Sequence, residues 1–417
     1  MINRLMTDSM RLAARSSLTP ALTDDPPRRV LPLIVLAQFL GTASWFAVNA
    51  VMPDLQREFG WPTQAVGTLT SALQGGFIAG TLVFALLALS DRLPARAVFL
   101  VCTVLAAGCT VAAALSAESY AALLVWRALT GFCLAGIYPV GMKIAAQWFP
   151  RGLGAALGWL LGALVLGSAS PHALRALASL DASLHWSVVF YGVAVVTALG
   201  GVLLVLGVPE PPHAAQRAPG LQLGALASVW RDRRVRASVL GYFGHMWELY
   251  TMWVLVPLVL ATRLAADAQL SWSAFVVLGA GALGCVLGGQ AAKRVGSARV
   301  AFVLLATSGL CCLAAPWMLA APTPLFALWL LLWGFSVSGD SPQFSALTAA
   351  NAPRAAVGSV LTLTNSIGFA ISVLSIELFL RLAQHWPLGS LLPWLALGPA
   401  LGLWALRPLL VRGGSAL

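Results

Sequence analysis

Twelve apolar runs, each about long enough to cross a bilayer as a helix, leave this chain few ways to fold. They fall at roughly 31–53, 64–89, 97–117, 119–142, 153–171 and 186–207, then again at roughly 237–262, 272–292, 298–320, 324–350, 356–380 and 388–406. A hydrocarbon core of about 30 Å takes roughly 20 helical residues. Lipid cannot satisfy open backbone groups, so helices are the spanning element, and the runs are too long for barrel strands. The expected fold is therefore an all-α membrane protein of twelve transmembrane helices. With 59% hydrophobic and only 9% charged residues, and a mean hydropathy of +0.86, no soluble alternative is left.

The runs divide six and six, and the halves echo each other. GFCLAGIYP at 131–139 returns as GFSVSGDSP at 334–342, a shift of 203 positions that also carries Pro150 and Arg151 onto Pro353 and Arg354. Phe39 and Pro53 are answered by Phe243 and Pro257 at a shift of 204. A half-length repeat in a polytopic membrane chain implies two pseudo-symmetric six-helix bundles, the layout of secondary transporters whose halves rock about a shared site. The expected divisions are a tail at 1–30, a bundle at 31–207, a linker at 208–236, a second bundle at 237–406 and a tail at 407–417. The linker is rich in proline (Pro209, Pro211, Pro212, Pro219) and ends in the basic cluster Arg231–Arg236.

Charge sets the expected orientation. With both termini on one side, 20 of the 25 Lys and Arg residues fall on that side and four on the other, with Arg127 inside a span. That asymmetry places both termini in the cytoplasm, here expected to be that of a bacterium, with the chain in its inner membrane. The net charge of +11 then reflects loops facing anionic headgroups and does not call for nucleic acid. No apolar core precedes the span at Leu31, so the first residues read as a cytoplasmic tail and not as a signal peptide. The six cysteines (Cys102, Cys109, Cys133, Cys285, Cys311, Cys312) all lie in predicted spans, without ligand or disulfide spacing. No phosphate loop, nucleophile constellation or cofactor motif is present. The expectation is a protein that is not an enzyme, with no cofactor and no metal, acting as a monomer in the bilayer.

Several stretches resemble the major facilitator superfamily over essentially the whole chain. Leu87-Ala88-Leu89-Ser90-Asp91-Arg92 is similar to that superfamily's G-x-L-a-D-R-x-G-R loop, with Leu87 and Pro94 in place of two glycines. Gly289-Gln290-Ala291-Ala292-Lys293-Arg294-Val295-Gly296 is its second copy, with Lys293 at the acidic place. The resemblance implies a cytoplasmic gate made by Asp91, Arg92 and Arg294, latched when the molecule faces outward. Arg127-x-x-x-Gly131 resembles the superfamily's buried-Arg motif, and Gly154, Gly158 and Gly162 give the fifth span a small-residue face for close approach. WFAVNAVMPDLQREFGW, GIYPVGMKIAAQWF, GYFGHMWELY and GDSPQFSAL are loosely similar to a bacterial branch grouped with nitrate/nitrite porters. Those porters hold the anion with an Arg in the second and eighth spans, where this chain offers Gln74 and the surroundings of Gly281.

Charged residues inside a membrane each require a reason, because one at a helix centre costs about 2.5–3.5 kcal/mol on insertion scales. Here they are Arg127, His245, Glu248, Asp340 and, near a span end, Glu377, which reads as an interfacial snorkeller. A desolvated carboxylate can bind and release a proton, since protonation removes the burial penalty. Glu248 is the first candidate carrier, His245 its partner three residues away on the same face, and Asp340 the second candidate beside the Gly339/Pro342 break. Arg127 is the counter-charge or an anchor for an anionic group. The resemblance implies a cavity lined by spans 1, 4, 7 and 10, which nominates Trp45, Asn49, Tyr138, Tyr250 and Gln343 as contacts for a small organic solute. The function expected is secondary transport of such a solute, coupled to protons. A uniporter with structural acids and a non-transporting receptor on the same fold remain open.

Overall fold

The computed structural model describes residues 27–149, 153–181, 183–210, 221–222, 224, 226–265 and 268–410. The expected tails at 1–26 and 411–417 and most of the proline-rich linker lie outside them. Every regular element among the described residues is helical. Ten helical segments are long and apolar enough to cross a membrane. In chain order the second to ninth spans are Ala65–Leu86, Ala95–Leu115, Tyr120–Leu134 with Tyr138–Trp148, Leu153–Ala178, Ser187–Gly207, Arg233–Ala261, Ala268–Val295 and Ser297–Met318; the eleventh is Val357–Leu382. The twelfth runs through Leu388–Leu391, the tight turn Leu392–Ala396 and Leu397–Leu410. The first and tenth reach spanning length only as pairs of half-helices, Val30–Gly41 with Ala47–Phe59 and Thr323–Gly339 with Ser341–Asn351.

The repeat in the sequence is a repeat in packing. Gly131 of the fourth span lies against the Leu73 carbonyl of the second, and Gly334 of the tenth lies against the Val277 carbonyl of the eighth. Gly80 meets the Phe132 carbonyl as Gly284 meets that of Phe335. None of these positions has room for a Cβ, so glycine lets the two backbones touch where side chains would hold them apart. The same pairs recur across the chain: spans 3 and 6 as 9 and 12, 1 and 6 as 7 and 12, and 1 and 5 as 7 and 11. Span 5 then packs on 8 and span 2 on 11, which joins the two bundles through pseudo-symmetric contacts. Gly158 and Gly162 face Cys285 and Ala282 in the first of these joints. The side-chain surroundings of Gly154 lie outside the described residues.

Helix breaks occur where backbone bonding is given up. The repeated motif breaks the fourth span after Leu134 and the tenth after Gly339, and each following half-helix carries Pro in its first turn, Pro139 and Pro342. Proline lacks an N–H and fits that position, where no intrahelical partner exists. The first span, expected as one helix over 31–53, instead breaks between Gly41 and Ala47 and continues to Phe59. Thr42 donates its hydroxyl to the Gln38 carbonyl (2.8 Å), a back-bond that bends helices. Carbonyls freed at this break need donors from elsewhere.

Candidate functional site

Arg127 supplies those donors. Its guanidinium is fully buried on the fourth span; Nη1 donates to the Ser44 carbonyl at 2.9 Å and Nη2 to that of Trp45. It makes no ion pair with a carboxylate among the described residues. The expected counter-charge is thus held by the main chain at the break of the first span.

The seventh span is the most enclosed of the ten candidate spans and carries His245 and Glu248. His245 and Glu248 lie on neighbouring parts of its surface but face different partners. Glu248 is fully buried and accepts from Trp333 Nε1 at 2.7 Å, Ser308 Oγ at 2.9 Å and Cys312 Sγ at 3.1 Å. Three donors from the ninth and tenth spans satisfy a carboxylate well. His245 turns to the tenth span. Its Nδ1 lies 2.9 Å from Asp340 Oδ1, in ion-pair contact though out of line for a full hydrogen bond. Its Nε2 is 2.9 Å from Ser341 Oγ. Asp340 is the residue between the two half-helices, without a side-chain capping bond to either, and both members of the pair are buried. His245 therefore partners Asp340 and not Glu248.

His245, with Asp340 behind it, borders a central cavity between the two bundles. Tyr138, Leu161, Leu164 and Val165 line it from one side; Tyr242, His245, Tyr250, Trp253, Ser338, Ser341, Ser345, Asn365 and Phe369 are among those lining it from the other. About 40 Å³ is free for the centres of water-sized molecules, room for a few waters. Next to it, Trp45 stacks on Tyr250 with ring centres 6.0 Å apart and packs against Phe77 and Phe369 at 5.1 and 5.9 Å. Of the nominated solute contacts, Tyr138 and Tyr250 line the cavity. Trp45 backs it, Asn49 donates to Thr70 Oγ1 at 2.9 Å, and Gln343 is buried away from the lining.

On the side away from the termini the bundles are tied together. Arg175, at the end of the fifth span, holds both oxygens of Asp54 at 2.7 and 3.1 Å and donates to Ser271 of the eighth span at 2.7 Å. Ser71 donates to Glu377 at 3.0 Å and Ser372 to Gln74 at 3.0 Å, so spans 2 and 11 are joined as well. Glu377, expected as an interfacial snorkeller, thus reaches across to the first bundle. On the termini side, Arg92 and Arg294 are exposed and without an ion-pair partner among the described residues, while the Asp91 side chain lies outside them. Arg175 and Ser271, and likewise Ser308, Cys312 and Trp333, carry no local sequence signal for these contacts. The last three are visible only once the ninth and tenth spans pack on the seventh.

A family model described as Major Facilitator Superfamily matches residues 34–376. The chain belongs to that superfamily. Among characterised folds of the superfamily, it resembles the human organic anion transporter MFSD10 (TETRAN), with a TM-score of 0.71 and 18% identity over 91% of this chain and 100% of that one. It also resembles the proton:xylose symporter XylE bound to 6-bromo-6-deoxy-D-glucose, with a TM-score of 0.71 and 15% identity over 92% and 94% of the two chains. At these identities the likeness is one of fold. In sequence it is 29% identical to the uncharacterized transporter YgaY of Escherichia coli O157:H7 over 185 residues, 43% of this chain and 45% of that protein. A YgaY from Escherichia coli strain K12 matches to the same extent. The alignment thus spans less than half the length of these relatives. A superfamily transporter is a membrane protein that moves solutes, and the twelve-helix, two-bundle architecture follows that pattern.

Proposed function

We propose that the chain carries a small organic solute across a bacterial cytoplasmic membrane by alternating access, coupled to protons at the His245–Asp340 pair. The observation that supports this is the position of the pair: His245 lines the cavity, and Asp340 lies directly behind it at the break of the tenth span, between two half-helices. A buried ion pair is costly to keep and strongly unfavourable to split while charged. Proton transfer onto Asp340 would release His245 and Ser341, and so link the cavity wall to the proton. Glu248, held by three donors from spans 9 and 10 and with no residue of the cavity lining among its partners, is assigned the task of holding spans 7, 9 and 10 together. Both termini are placed in the cytoplasm by the lysine and arginine asymmetry. The ties on the far side between spans 5 and 8 and between spans 2 and 11 fit a chain closed on the side away from the cytoplasm.

The test is solute uptake into proteoliposomes under an imposed pH gradient. Gradient-driven accumulation in the wild type that is lost in Asp340→Asn, with exchange retained, supports coupling at the pair. The second reading is a uniporter, favoured by the close contact that the buried His245 and Asp340 already make, which can serve as a static structural tie. Flux indifferent to the gradient in the wild type would establish it instead.

A further inference from the structure

We infer that the central cavity takes an uncharged solute with a flat apolar body and a hydrogen-bond acceptor at its edge; this deepens the transporter reading and rests on it. The charge balance of the wall supports the first part. No Lys or Arg lines the cavity among the described residues, and Arg127 is bound to the main chain of the first span. His245 Nδ1 and Asp340 Oδ1 are in contact at 2.9 Å. An anion would have to draw His245, which is on the lining, from Asp340, and a cation would have to reach Asp340, which is buried behind His245 and off the lining. Either leaves a buried charge without its partner, which is strongly unfavourable. An uncharged solute leaves no buried charge without its partner, whichever protonation state the pair holds during the cycle.

Polar atoms of the wall give the second part. Trp253 is 1% exposed and Ser338 0%, and both line the cavity with Trp253 Nε1 and Ser338 Oγ lacking a hydrogen-bond partner. Buried polar groups are almost always paired, and each orphan calls for an explanation. An indole N–H can only donate, so it requires an acceptor. A serine hydroxyl takes either role. Ser338, Ser341 and Ser345 follow one another at intervals of three and four residues across the break, which aligns polar groups along one edge of the wall. Tyr138, Tyr242, Tyr250 and Phe369 supply the flat apolar remainder, which favours a planar partner. The cavity now has room only for water, so the solute enters as the bundles part.

Three probes of one shape and three charges separate the possibilities: naphthamide, naphthoate and naphthamidinium. Binding to the detergent-purified full chain is measured by saturation-transfer NMR and thermal shift, and counterflow exchange is measured in proteoliposomes. The expected result is binding of naphthamide in preference to both ions, weakened about tenfold by Trp253→Phe and by Ser338→Ala, the loss of one net hydrogen bond. Unchanged melting of the unliganded variants shows that they fold. Preference for either ion, indifference to both variants, or binding of none of the three overturns the inference, the last because the orphans then serve water alone. Naphthamide bound without counterflow upholds the cavity chemistry and overturns transport. Exchange of an ion does the reverse.

Discussion

Ser271→Ala removes one hydroxyl and, with it, the bond by which Arg175 reaches from the first bundle to the second. The perturbation is narrow. Arg175 keeps both oxygens of Asp54, so no cation is left bare, and a serine-to-alanine change leaves the packing of the eighth span in place. A hydrogen bond to a charged group contributes about 1.5–3 kcal/mol net. Because Arg175 retains its carboxylate, the lower end applies, and every 1.4 kcal/mol is about tenfold in an equilibrium constant. The equilibrium between far side closed and far side open should therefore shift toward open by about tenfold. Hydrogen exchange reads such an opening locally. Amides near 171–178 and 268–275 should exchange about tenfold faster in the variant, with those of Ser297–Met318 unchanged. No change at the far side would refute the latch. A uniform acceleration throughout the chain would also refute it, since that reports lost stability and not an opening.

Two further outcomes follow from the buried polar contacts. Glu248→Leu leaves the Trp333 N–H and the weakly donating Cys312 S–H without an acceptor, while Ser308 can fall back on the Leu305 carbonyl at 3.1 Å; the expected loss is about 1–3 kcal/mol, dominated by the orphaned indole donor. Glu248→Gln keeps an acceptor for Trp333 and should lose under about 1 kcal/mol, so thermal melting should rank wild type, Gln, Leu in that order. Equal melting of all three would contradict the structural role. Arg127→Met strips donors from two buried carbonyls at the break of the first span and should lower stability by about 2–6 kcal/mol; Arg127→Lys should recover part of this through a single contact. A fully stable Met variant, by chaotropic or thermal unfolding, would show that the break does not depend on Arg127.

How far the sequence could be read follows from the range of each interaction. The spans are legible because length and apolarity are local. The two bundles are legible because Gly131 and Gly334 do the same work 203 positions apart, and their motif brings Pro139 and Pro342 to equivalent breaks. The break after Gly41 was missed. It has no proline at its entry, and it persists because a guanidinium more than 80 residues away bonds its carbonyls. His245 and Glu248 share a face by spacing, which suggested a pair, but a helical step of three residues still turns the side chains through about 60°. That turn is enough to give one to Asp340 and the other to Trp333. Arg175 and Ser271 carry nothing in their own neighbourhoods that marks a latch; their link exists only once the fifth and eighth spans cross.

Solute-induced proton movement tests the central claim most directly. Proteoliposomes in weak buffer receive solute with no gradient imposed, and external pH is followed. Coupling at the His245–Asp340 pair predicts a pH change on solute addition in the wild type and in Glu248→Gln, and none in Asp340→Asn, although Asp340→Asn still exchanges labelled solute. A proton signal that survives in Asp340→Asn and vanishes in Glu248→Gln would contradict the account and move the coupling site to Glu248.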